Sequence, residues 1–195
     1  MPEPRPTRPI TRRAALGGAA GAAALGVVAD PARARAASLA DHPLTGTWLA
    51  MANPPIADDP QFAAPSRFAA DGTVLLVFPA TQKGPQGPMH ASPAMGVWEP
   101  DGDRRGRFTA VQPISAPDGA FLGTVTIDGF PEVSEDGQTF VDDGSRTTVT
   151  MRDAGGAIVS QILPTGTAAG RPVTAVRMAV GVPGFPATGD ATPTG

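Results

Sequence analysis

The 195-residue chain has 15 lysines and arginines, 18 aspartates and glutamates and no cysteine, so disulfides, thiolate metal ligands and a thiol nucleophile are all excluded. Its formal net charge of −3 is unevenly spread: residues 1–36 hold six arginines against Glu3 and Asp30, which leaves the remainder nine basic and sixteen acidic side chains, near −7. That balance argues against nucleic acid as a partner, because phosphate neutralisation needs clustered Lys and Arg, and only Arg104, Arg105 and Arg107 stand close together, beside a turn signal.

The first element in chain order is Thr11-Arg12-Arg13-Ala14-Ala15-Leu16. It precedes an Ala- and Gly-rich run over residues 14–29 and an Ala-Arg-Ala-Arg-Ala-Ala stretch over 32–37. A basic segment, a weakly apolar stretch and a small-residue cleavage site are the parts of an export signal. Cleavage is expected near Ala36 and Ala37, giving a signal over 1–36 and a lead-in over 37–43. About 159 residues then remain, enough for one domain with a useful core. The paired Arg12 and Arg13 with Leu16 resemble the twin-arginine signal, although Ala15 stands where that pattern usually carries Phe. The resemblance implies the twin-arginine export machinery as a partner and a secreted or cell-envelope location. Export of an already folded protein agrees with the lack of disulfides. The sixteen-residue run is shorter than the roughly 20 residues that span a bilayer, so no stable membrane span is expected.

From residue 44 to about 180 the chain is punctuated by Asp-Gly or Gly-Gly pairs at 71–72, 101–102, 118–119, 128–129, 136–137, 143–144 and 155–156. Such pairs supply the positive φ of tight hairpin turns. Between them lie Val-, Thr-, Phe- and Ile-rich segments, which predict strands over 45–52, 67–69, 73–78, 94–99, 107–115, 121–130, 139–152, 157–163 and 173–178. Apolar and hydroxyl residues alternate over 124–127 and 147–151, as on a sheet with one face on a core. The predicted fold is all-β, an antiparallel meander of eight or nine strands over 44–180, closed into a small barrel because closure removes two exposed edges. The Pro- and Gly-rich stretches 53–60 and 80–88 read as loops, with at most one helical turn between 53 and 65, and the 181–195 tail as a mobile extension.

Gly46-Thr47-Trp48 on the first strand is similar to the Gly-X-Trp that opens lipocalins and the wider calycin barrels, where the Trp closes one end. Phe68-Ala69-Ala70-Asp71-Gly72-Thr73 looks like the strand, turn and strand that follow in bacterial lipocalin-like domains, and Gly96-Val97-Trp98 repeats the spacing. The chain therefore resembles secreted bacterial lipocalin-like proteins, which implies a small apolar ligand, or a protein surface, bound in or around the barrel mouth. Thr45 to Trp48 also reproduces the Thr-Gly-Thr-Trp of avidin-type barrels. Their biotin site needs several Trp and a Tyr, and with only Trp48 and Trp98 and no Tyr it does not carry over.

The candidate ligand-binding residues are Trp48, Trp98 and His90; each Trp suits either a core plug or a cavity wall. Met89, His90 and Met95 make a thioether, imidazole and thioether set of the kind soft ions prefer, but no second His or Cys assists, and Met beside a sheet ordinarily fills a core. Ser92 with His90 lacks a nucleophile-elbow motif, and His42 falls in the polar lead-in. The paired carboxylates at 58–59, 101 and 103, 135–136 and 142–143 lie in or beside turns, where Asp bonds its own backbone. No catalytic residue, metal or cofactor is assigned. The alternatives are a barrel isomerase or cyclase similar to allene oxide cyclase-like and dirigent-like folds, with His90 meeting Glu99 or Asp128 in a pocket, and a non-catalytic structural envelope protein.

Overall fold

The structure, a computed structural model, describes residues 39–54, 59–84, 87–167, 171–181 and 184. Arg12, Arg13, Ala36 and Ala37 of the expected export signal, and most of the 181–195 tail, lie outside the described residues. Among the described residues no helix is long and apolar enough to cross a membrane.

Among the described residues thirteen strands follow in chain order: β1 (Gly46–Ala52), β2 (Phe62–Phe68), β3 (Thr73–Leu76), β4 (Thr81–Gly84), β5 (Gly87–Ala91), β6 (Ala94–Pro100), β7 (Gly106–Ser115), β8 (Phe121–Gly129), β9 (Glu132–Val133), β10 (Thr139–Asp142), β11 (Thr148–Asp153), β12 (Ile158–Ile162) and β13 (Val173–Arg177). They form one antiparallel sheet in the order β12-β11-β8-β7-β6-β3-β2-β1-β13-β10-β9, with the β4–β5 hairpin attached to β7. The all-β expectation holds, and the closed barrel of eight or nine strands does not. The sheet has thirteen strands and curls into an open half-barrel whose edges stand 20 Å apart. Nor is it a simple meander, since β13 lies between β1 and β10, and β11 leaves β10 to pair with β8.

Two prolines account for the difference. β7 is the spine, and each of its neighbours is a long strand cut by a residue that has no N–H to give to a ladder. On one side β8 pairs with β7 as far as Phe108–Gly129, and β9 resumes the same register at an Arg105–Glu132 bridge, with Pro131 at the break. Gly106 N donates to Pro131 O at 3.0 Å, so the carbonyl keeps its place where the donor is lost. On the other side β5 and β6 both lie along β7, with Pro93 between them and a one-residue change of register. Each break forks the sheet. β8 takes β11 as its outer partner while β9 takes β10, and β5 takes β4 while β6 takes β3. Because β11 occupies the edge of β8, the β10–β13 side cannot zip along it, and β12 ends its prong as a free edge with all five residues exposed.

The narrow end of the curl is filled. Trp48, Trp98, Phe68 and Phe140 pack with Leu39, Leu44, Val74 and Val133 as one buried cluster, the rings meeting edge to face at 5.1 Å for Trp48–Phe140 and 5.9 Å for Phe68–Trp98. Both indole N–H groups are satisfied, Trp48 donating to Leu44 O at 2.9 Å and Trp98 to Ala69 O at 2.8 Å. Arg177 on β13 covers this end, its guanidinium 4.2 Å above the Trp48 ring and donating to Gly137 O, Thr45 O and Pro43 O. Burial holds its pKa below the ordinary value.

The turn signals were well placed with one exception. Gly72, Gly102, Gly119, Gly137, Gly144 and Gly156 all take positive φ, but Asp128-Gly129 ends β8, and a Cβ at Gly129 would stand 2.4 Å from the Phe108 ring. At four of these turns a carboxylate is held below its ordinary value of 3.8: Asp71 by the Thr73 hydroxyl, Asp101 by Arg146, Asp136 by the Ser134 hydroxyl and Asp143 by Ser145. A folded pKa below the unfolded one stabilises the fold above the unfolded value, and the contribution is lost as pH falls through the folded value. The melting temperature is therefore expected to hold near neutral pH and to fall below about pH 4, with a shallower fall in Asp136→Asn, as thermal melts in a pH series would show.

Candidate functional site

The inward positions of β1 and β2 change size along the strands. On β1 they run Trp48, Ala50, Ala52, and on β2, in the reverse chain direction, Phe68, Ser66, Ala64. Register brings the small residues side by side: Ala50 faces Ala64 on β2 and Ala175 on β13, and Ala175 in turn faces Phe140 on β10. Three neighbouring strands thus present only methyl groups at one level. A methyl cannot reach across a curled sheet, so a cavity of about 290 Å³ opens beyond the aromatic plug.

The opposite wall comes from the other prong. Val125 and Ile127 of β8, Val149 and Met151 of β11 and Ile162 of β12 face the alanines, while Phe68, Phe108 and Phe140 form the floor shared with the plug. At protein packing density the space suits a molecule of about 200 Å³, roughly ten to twenty non-hydrogen atoms.

Three buried polar side chains line the cavity: Ser66, Gln112 and Asp142. Two of them stand at the proline breaks. Gln112 Nε2 donates to Ser92 O at 2.9 Å, next to Pro93. Asp142 Oδ2 accepts from Phe130 N at 2.7 Å, next to Pro131, while Oδ1 accepts from Gly144 N at 3.0 Å and the Thr147 hydroxyl at 2.7 Å. Each therefore supplies a bond that the interrupted ladder lacks, and each keeps a polar group against the cavity. Ser66 Oγ donates to Ala64 O at 2.9 Å.

Trp48 and Trp98 are 0% and 1% exposed and sit one ring behind the cavity floor, in contact with Phe140 and Phe68 respectively. His90 is exposed on β5, its Nδ1 3.5 Å from the Thr81 hydroxyl. Met89 is buried under the β4–β5 hairpin while Met95 is 67% exposed on β6, so the thioether set around His90 is divided between the core and solvent. Glu99 meets Arg107, and Asp128 accepts from the Thr109 hydroxyl; neither lines the cavity, and nor does His90. His42 caps the plugged end: Leu44 N donates to its Nδ1, so Nε2 carries the hydrogen that reaches Gly102 O, both at 3.1 Å. Among the described residues no group of three or more His, Asp or Glu side chains is placed to hold a metal ion.

No protein-family model, no curated protein and no solved structure matches the chain. The likenesses to lipocalins and avidin-type barrels thus rest on their short motifs alone.

Sequence reasoning missed Ala50, Ala52, Ala64, Ser66 and Gln112, and read Asp142 only as a turn carboxylate. A signal for Ala50 and Ala52 was present: on a strand that begins with an inward Trp, alanines at the next two inward positions announce space. A second hollow, about 420 Å³, lies at the bridged rim between Arg104, Arg105, Arg146 and Glu132. Its guanidinium groups are paired, Arg105 with Glu132 at 2.7 Å, Arg104 with Glu132 at 3.6 Å and Arg146 with Asp101 at 2.5 Å, so it ties the seam between β7 and β9.

Proposed function

We propose that this protein is an exported binder of a small apolar molecule, held in the cavity between the prongs of its half-barrel. The facing pair of Ala50 and Ala64, with Ala52 beyond it, carries the reading, because larger residues there would fill the curl with core, as Trp48 and Phe68 do at the other end. Export is supported by the Thr11 to Leu16 motif and the small residues around Ala36 and Ala37. Binding is favoured over isomerase or cyclase chemistry because the lining offers no histidine among the described residues, and its one carboxylate already accepts three hydrogen bonds.

Ala64→Phe tests this reading, since the new ring would enter the cavity from β2. The fluorescence of N-phenyl-1-naphthylamine, an uncharged aromatic probe, reports occupancy. The variant is expected to bind it at least about tenfold more weakly while its melting temperature stays level or rises, as for cavity filling without strain. Unchanged probe affinity in a folded Ala64→Phe protein would move the binding site elsewhere.

A further inference from the structure

The lining of the cavity is one-sided in charge and in hydrogen-bonding capacity. Among the described residues it contains no Lys, Arg or His, and Asp142 is its sole ionisable side chain. Apart from Asn53, Gln82 and Ser160, none of which is buried, the polar hydrogens of the lining are largely committed to the protein. Ser66 Oγ gives its hydrogen to Ala64 O, Thr147 Oγ1 to Asp142, and Gln112 one amide hydrogen to Ser92 O. What these groups have left is mainly acceptor capacity: lone pairs on the two hydroxyls, the Gln112 carbonyl and the remaining site on Asp142 Oδ2, against one free amide hydrogen on Gln112. A ligand group that also only accepts would leave those atoms facing lone pair to lone pair, and an anionic one would add repulsion from Asp142 in a largely apolar space.

From this we infer that the cavity selects apolar molecules whose polar end donates a hydrogen bond and carries no negative charge, an alcohol or an amine, and that it rejects carboxylates and phosphates of the same chain. The inference rests on the cavity being the binding site. Asp142 and Gln112 are its discriminating groups, positioned at the two proline breaks on either side of β7.

Three molecules that share one aliphatic chain and differ at its end separate this inference from the reading beneath it. Octan-1-ol, octylammonium and octanoate would each compete at pH 7 with N-phenyl-1-naphthylamine for the full-length protein. The alcohol and the ammonium are expected to displace the probe, and octanoate to need at least about tenfold higher concentration than the alcohol. Octanoate competing about as well as octan-1-ol would overturn the inference and leave cavity binding standing, because the head group would then rest in solvent. If the probe does not bind at all, cavity binding fails and the inference falls with it. Asp142→Asn supplies a second test: in a folded variant the gap between alcohol and carboxylate should narrow several-fold, and an undiminished gap would remove Asp142 from the discrimination. Should that variant fail to fold, the three-ligand comparison on the unaltered protein decides alone.

Discussion

Trp98→Ala is expected to lower the free energy of unfolding by about 3–5 kcal/mol, the loss typical of a buried aromatic removed from a core. Trp98 is 1% exposed, packs edge-on against Phe68 and lies 5.4 Å from the His42 ring. Its indole N–H is bonded to Ala69 O, so truncation also deprives a carbonyl of its partner. Domains of this size hold about 5–15 kcal/mol in all, so the loss takes from about a fifth to the whole of that margin. Urea titration followed by far-ultraviolet circular dichroism measures the change without relying on the lost fluorophore. Trp98→Phe keeps a ring in the plug and should cost less, about 1–2 kcal/mol. It should also leave the affinity for N-phenyl-1-naphthylamine within about twofold, because Phe68 separates Trp98 from the cavity. A change beyond that would make Trp98 part of the binding wall, and a Trp98→Ala cost below about 1 kcal/mol would contradict its place in the plug.

Much of the local structure was readable from the chain because it is decided locally. Asp-Gly pairs placed most of the turns, and β1, β3, β6, β7, β8, β12 and β13 lie within two residues of their expected bounds. The departures come from interactions that sequence neighbours do not reveal. The predicted strand over 139–152 is two strands, β10 and β11, because Asp142 turns its carboxylate back onto Gly144 N and the Thr147 hydroxyl and closes a bend between them. β2 begins at Phe62, well before the predicted residue 67, because its ladder to β1 continues through Pro65, whose carbonyl still accepts from Val77 N. The stretch 80–88, read as loop for its Pro and Gly, supplies β4 and the first two residues of β5, and this hairpin forms where β5 gains a place on β7. Closure was inferred from the cost of free edges, a general tendency, but Pro131 and Pro93 settle which strand each edge meets. The polar part of the site was unreadable for the same reason: Gln112 and Asp142 gain their roles only once those breaks bring Ser92 O and Phe130 N beside them.

Gly96→Ala is expected to cost about 3 kcal/mol or more, or to prevent folding, although it adds one methyl group to a half-exposed position. Gly96 lies on β6 between Val74 of β3 and Ala110 of β7. A Cβ built there would stand 1.9 Å from Thr109 O and 2.6 Å from Ala110 Cα. Both are backbone atoms of the spine, which cannot rotate out of the way as a side chain can, so relief requires β6 to lift from β7. That movement stretches ladder bonds on both sides of the residue and disturbs Ala94 and Trp98, the inward residues two places before and after it. Gly119→Ala is the control, a glycine at φ 89° whose added Cβ would have nothing within 4 Å. It should cost only the backbone preference, about 1 kcal/mol. Urea unfolding of the two variants side by side distinguishes crowding from conformational strain. Equal losses would mean that β6 and β7 are not pressed together at Gly96, whereas a loss at Gly96 that is at least about twice that at Gly119 would show that the glycine in Gly96-Val97-Trp98 is required by the approach of β6 to β7.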